Sequence, residues 1–215
     1  MVTLQLSQIH LTPGQRLVLQ NVNWQQFEQI LEELGDRRNA RIAYSKGTLE
    51  IMAPLPEHEV TKVLVGDLVK ILLEEFAIDC ESFGSTTFRR QDMDQGIEPD
   101  DSFYIANHQR MIGRTRIDLT VDPPPDLAIE VDVTSKTQLG AYEALGVPEL
   151  WRFENQQLCI YLLQAGKYVE SSFSPTFPNL PITQVVTDSV KQAGLVGRSP
   201  ALRAFRRWAR QQAQK

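Results

Sequence analysis

Apolar positions along the chain switch between a helical and a strand period, and the switches define the expected elements. Trp24, Phe27, Ile30, Leu31 and Leu34 fall at helical spacing, with Asn23 placed to cap the helix and Gly35 to stop it. Two strand-like runs follow at 41–45 and 48–52, and the Lys46-Gly47 pair between them predicts a tight hairpin turn. After Pro54 and Pro56 a long helix is predicted over 57–76, with Val60, Val63, Leu64, Leu68, Ile71, Leu72 and Phe76 as its buried stripe. The middle of the chain turns to strands, at 80–89, 100–106 and 126–133. A short helix over 137–145 ends at Gly146, and strands at 149–153 and 158–163 form a hairpin over 154–157. Ser199-Pro200 caps a final helix with Leu202, Phe205 and Trp208 or Ala209 on one side and arginines on the other. This order predicts an α/β fold in which helices flank a mixed central β-sheet.

One residue breaks the apolar run 127–131, and it is Glu130. A carboxylate inside a buried strand is uncommon unless it is paired or functional. Asp132, two positions on, would face the same side. The structural explanation is that Glu130 forms a buried ion pair with an arginine while Asp132 ends the strand. Glu98-Pro99-Asp100-Asp101 opens an earlier strand. Acids at the mouth of one strand and inside another suit a hard divalent cation, because Mg²⁺ prefers oxygen ligands and takes only one or two protein carboxylates. Pro125-Asp126 is a rival for the first acid. It lies about 13 Å from Glu130 along the same strand, too far to share one ion comfortably, and Asp126 is better read as opening that strand.

The segments Glu98-Pro99-Asp100-Asp101-Ser102-Phe103-Tyr104-Ile105, Pro125-Asp126-Leu127-Ala128-Ile129-Glu130-Val131 and Thr134-Ser135, then Tyr142 and Gly146-Val147-Pro148-Glu149-Leu150-Trp151, resemble the bacterial Uma family of proposed restriction endonucleases. That family belongs to the PD-(D/E)xK nuclease superfamily. The resemblance runs from Trp24 to Leu163 and is most specific from Glu98 to Trp151. It implies a restriction-endonuclease-like core. Read with the chain's own pattern, that domain is expected to span 1–190 with its N-terminal helix and hairpin, with a basic helical tail at 191–215 packed on it. It also implies that Asp100 and Glu130 are the metal-binding acids, with Mg²⁺ as the cofactor and Mn²⁺ able to substitute. The substrate implied is nucleic acid, with DNA favoured over RNA, and by analogy a homodimer would cut both strands.

The chain departs from the superfamily at its lysine, which would fall at Asp132. The family's lysine on the following helix falls at Gln138. Lys136 is the nearest lysine, and it either reaches the attacking water from the strand-to-helix turn or is a solvated charge. Asp132 could add a metal contact, Gln138 could orient water without supplying charge, and Tyr142 could be core or hydrogen-bond the acids. Glu57 and His58 either line the rim of the site or cap the helix they open. The competing class is a nuclease-fold protein that binds nucleic acid or protein without cutting.

Charge sharpens one point. The net charge is −5, yet the seven basic residues from Lys191 onward meet no acid, so the rest carries 15 bases against 27 acids. Arg203, Arg206 and Arg207 therefore either touch phosphates or pair with the acidic body. Composition excludes other classes. The longest nearly apolar run, 158–163, is too short to span a bilayer. Residues 1–10 lack the pattern of a secretion signal, and Cys80 and Cys159 make neither a disulfide framework nor a zinc site. A cytoplasmic protein is expected.

Overall fold

The computed structural model describes residues 5–35, 40–131 and 139–215. In chain order the strands and helices are β1 (Arg16–Leu19), α1 (Trp24–Leu34), β2 (Arg41–Ser45), β3 (Thr48–Met52), α2 (Pro56–Glu75), β4 (Glu81–Ser82), β5 (Phe88–Arg90), β6 (Gln95–Ile97) and β7 (Asp101–Tyr104). Then come α3 (His108–Met111), β8 (Leu127–Glu130), α4 (Leu139–Leu145), β9 (Glu149–Glu154), β10 (Gln157–Gln164), β11 (Lys167–Ser171), α5 (Ile182–Val196) and α6 (Arg198–Ala213).

The mixed α/β fold is present, but its strands divide into two sheets where the sequence suggested one. The first, in the order β1-β3-β2-β6-β5, is antiparallel throughout. The second, β11-β10-β9-β8-β7-β4, is antiparallel except for the parallel pair β8 and β9, which α4 connects. The strand expected at 80–89 is in fact two. Gly84, at φ 56°, falls between them, and β4 joins the second sheet while β5 joins the first.

Local signals explain several elements. Asn23 Oδ1 accepts the Gln26 N–H at 2.9 Å, and Gln26 Oε1 accepts the Asn23 N–H at 2.9 Å, so the start of α1 is closed reciprocally. Lys46 and Gly47 both take positive φ, at 45° and 82°, the geometry that lets a two-residue turn follow the strand twist. The stripe predicted for the long helix needs correction at one end. Val60 and Val63 are exposed, and His58, Val65, Gly66 and Val69 are buried instead. α6 starts one residue before the expected Ser199 cap, with Gly197 as its N-cap.

The second sheet separates two cores, and strand parity assigns each residue to one. Leu127, Ile129, Trp151, Phe153 and Phe103 face α2, α5 and α6. Ala128, Leu150 and Tyr104 face the opposite side, where Ala141, Tyr142 and Leu145 of α4 meet Ala43, Phe88 and Ile97 of the first sheet. Glu130 shares parity with Ala128 and so belongs to this second layer.

Close approach fixes α1 on the first sheet. Phe27 stacks on Tyr44 with centroids 4.4 Å apart, and a Cβ at Gly96 would lie 2.8 Å from Phe27 Cζ. The stacked ring has little room to yield. Gly96→Ala is therefore expected to lower stability by about 1–3 kcal/mol, read as a lower urea midpoint at unchanged slope. Gly194→Ala, at an exposed position of α5 with no described atom within 4 Å of the added carbon, is the control and should stabilise slightly.

Candidate active site

The antiparallel register of β7 and β8 pairs Asp101 with Ile129 and Ser102 with Ala128. One step further brings Asp100 opposite Glu130, with both side chains on the α4 face. Hydrogen bonds extend the pairing past the strand end. The Asp100 N–H donates to Ile129 O at 2.9 Å, and the Val131 N–H donates to Asp100 Oδ2 at 2.8 Å. Asp100 is 4% exposed and Glu130 6%. The Tyr142 hydroxyl donates to Glu130 Oε1 at 2.5 Å. Burial, and then the charges of Glu130 and Asp100, hold the Tyr142 phenol well above its ordinary pKa of 10.0. Burial and strand parity together place both acids in one poorly solvated layer.

Asp101, by parity, points the other way. Lys70 Nζ lies 3.0 Å from its Oδ2, Ser82 Oγ donates to Oδ1 at 3.3 Å, and a Cβ at Gly66 would come within 2.6 Å of Oδ2. Asp101 thus ties α2 to β7, and only Asp100 of this pair of acids faces Glu130.

Asp100 also has basic neighbours. His58 Nε2 lies 3.2 Å from Asp100 Oδ2, and Arg41 Nη2 lies 3.4 Å from Asp100 Oδ1. Arg41 Nη2 also donates to Glu59 Oε1 at 3.4 Å, and Glu59 Oε2 accepts from Lys62 Nζ at 2.8 Å. Burial alone would lower the His58 pKa, but the hydrogen bond and charge of Asp100, helped by Glu59, raise it above 6.5. His58 is buried against Asp100 rather than placed on a rim, and its Nδ1 has no hydrogen-bond partner among the described residues. Glu57 is exposed in the first turn of α2. Arg41 escaped the sequence reading. The signal available was a cation at the mouth of a strand whose next three residues are apolar.

The remaining candidates separate. Asp132, Lys136 and Gln138 lie outside the described residues. Asp126 brackets a loop, accepting the Ile105 N–H at 2.7 Å and the Asn107 N–H at 3.2 Å. Arg203 and Arg207 are exposed. Arg206 and Arg210 pair with Glu74 and Glu75 near the end of α2. At 1.5 Å per residue that is about 24 Å along α2 from His58. Arg198, at the start of α6, pairs with Asp67 of α2. Among the described residues no three His, Cys, Asp or Glu side chains form a metal-binding group, so the acid pair could supply two protein ligands and leave the others to water.

A family profile described as "Uma2: Putative restriction endonuclease" matches residues 24–191. The chain belongs to the Uma2 family. No functionally curated protein matches it. A crystal structure of "a putative nuclease belonging to DUF820 from Anabaena variabilis" is similar to this Uma2 chain at 16% identity, covering 75% of this chain and 90% of that one with a TM-score of 0.46. Among the described residues no helix of the Uma2 chain is long and apolar enough to cross a membrane.

The His58–Asp100 pair has a testable pH signature in the metal-free Uma2 chain. The folded-state pKa of His58 is raised, so its stabilising contribution is complete below pH 6.5 and is lost as pH rises through the folded value. Urea midpoints of wild type and His58→Gln should differ most at acidic pH and converge in mild alkali. A difference that does not change with pH would show that His58 does not titrate against Asp100.

Proposed function

We propose that this Uma2 chain is a Mg²⁺-dependent endonuclease that hydrolyses the phosphodiester bonds of DNA. The observation that carries the reading is the placement of Asp100 and Glu130 side by side, buried, on the same face of adjacent strands. The donor set fits a hard cation, since it offers carboxylate oxygens from two elements and leaves other positions for water. Asp100 and Glu130 would hold the ion, and Mn²⁺ would substitute. A bound Mg²⁺ supplies Lewis-acid polarisation of a phosphate oxygen and lowers the pKa of a bound water.

The chain's own groups do the positioning. The Val131 N–H fixes Oδ2 of Asp100, and the Tyr142 hydroxyl fixes Oε1 of Glu130. Each acid thus has one oxygen anchored by a neutral donor. Lys136 is the proposed group that orients the attacking water and balances charge, with Asp132 and Gln138 as accessory groups. A homodimer would present two such sites to the two strands.

A second reading has its own observation. Arg41 and His58 already compensate Asp100 within the chain, as expected of a protein that keeps the fold and binds nucleic acid without cutting it.

Nicking of supercoiled plasmid separates the two. Wild type should cleave in Mg²⁺ or Mn²⁺ and not in chelator. Asp100→Asn and Glu130→Gln should each reduce the rate by about a hundredfold or more and weaken Mn²⁺ binding in calorimetry. These near-isosteric changes keep side-chain volume and one acceptor oxygen while removing the charge that would hold the ion. DNA binding that persists in chelator, with no cleavage of any nucleic acid in either metal, would establish the binding module instead.

A further inference from the structure

Arg41 belongs to the five-stranded sheet, yet its guanidinium reaches the acid pair of the other sheet, with Nη2 3.4 Å from Asp100 Oδ1. The Arg41 side chain is 15% exposed where that of Asp100 is 2%. Within this ion pair, Arg41 is the more exposed side chain. The closest approaches to Asp100 and to Glu59 are both made by Nη2, and both are long at 3.4 Å. Among the described residues the only hydrogen bond of the guanidinium is the one from Nη2 to Glu59. Glu59 does not hold Arg41 exclusively, since Lys62 Nζ approaches it more closely, at 2.8 Å.

A structural counter-ion for a buried carboxylate is expected to turn its paired donors onto that carboxylate in short parallel bonds. Arg41 instead approaches Asp100 no closer than 3.4 Å and donates no hydrogen bond to it. A planar fork backed by an acid matches the oxygens of a phosphodiester.

We propose that Arg41 is the residue that grips the DNA phosphate beside the Asp100–Glu130 pair. The inference rests on the nuclease reading of the site and adds a substrate-contacting residue to it, drawn from a sheet that holds neither acid. Arg41 sets where the phosphate sits. Nε and Nη1 donate to it, and Nη2 stays against Asp100, so the contact couples the position of the phosphate to that of the acid.

The test is binding of a short duplex DNA in Ca²⁺, which replaces Mg²⁺ without supporting cleavage, titrated across a range of KCl. Mn²⁺ binding without DNA and thermal melting are measured alongside. For Arg41→Gln, DNA affinity should fall and the slope of log affinity against log salt should shrink by about one unit, the signature of one lost phosphate contact. Mn²⁺ affinity should hold or tighten, because a cation beside the acids has gone. Arg41→Lys should retain the salt slope, keeping a point charge, but lose affinity with the fork.

A salt slope unchanged in Arg41→Gln, or wild-type affinity in Arg41→Lys, would overturn the assignment while leaving the nuclease reading intact. Should Arg41→Gln fail to fold, the lysine variant alone decides between these outcomes. A wild-type protein that binds Mn²⁺ but no DNA would overturn the phosphate grip. One that binds neither would overturn the nuclease reading along with it.

Discussion

Two carboxylates are held next to each other in a layer from which water is largely excluded, and the rest of the structure answers to that constraint. Like charges on facing strand positions repel, and more strongly where water is excluded. The molecule opposes this repulsion with directed groups. Val131 N–H and His58 Nε2 meet Asp100 Oδ2, Arg41 Nη2 approaches Oδ1, and Tyr142 meets Glu130 Oε1. These groups come from four separate elements or their ends: β8, α2, β2 and α4. Buried acids held this way carry the proposed reading of a site for positive charge.

The two-sheet architecture gives those groups their reach. The link from β6 to β7 carries Glu98, Pro99 and Asp100 from the first sheet to the second. Glu98 Oε2 accepts the Ile42 N–H at 3.2 Å and Oε1 accepts from Thr87 Oγ1 at 2.6 Å, which pins the link to β2 and to the residue just before β5. Ile42 follows Arg41 directly, so the bond that anchors the link also places the guanidinium. On the opposite face Asp101 binds Lys70 and leaves room for Gly66 alone, fixing α2 so that His58 meets Asp100. The basic last helix serves the same end at a distance, since its pairs with Glu74 and Glu75 brace α2 far from the acids.

Much of this was legible in the sequence because strong local rules were at work. The Asn23 cap, the Lys46-Gly47 turn and the glutamate in an apolar strand each carry their meaning within a few residues. Family resemblance singled out Asp100 rather than Asp101, and strand parity gives the physical reason. What was missed depends on tertiary context. β6 is three residues with a glycine at its centre, β4 is two residues, and neither length holds a period. In α5, Ile182, Val185, Val186 and Val190 do keep helical spacing, but β-branched residues are weak helix formers and mask the signal. Arg41 shows locally only as a cation at the mouth of an apolar strand, and what gives it meaning is an acid fifty-nine positions away in the chain.

The central claim is that Asp100 and Glu130 form one cation site. Its most direct test is a crystal grown with Mn²⁺ and measured for anomalous scattering. The account predicts a peak bonded to one oxygen of each acid at about 2.1–2.2 Å, its other ligands waters, with Arg41 still beside Asp100. Refined density with no anomalous peak between the two acids, and Asp100 held by Arg41 and His58 alone at saturating Mn²⁺, would contradict it.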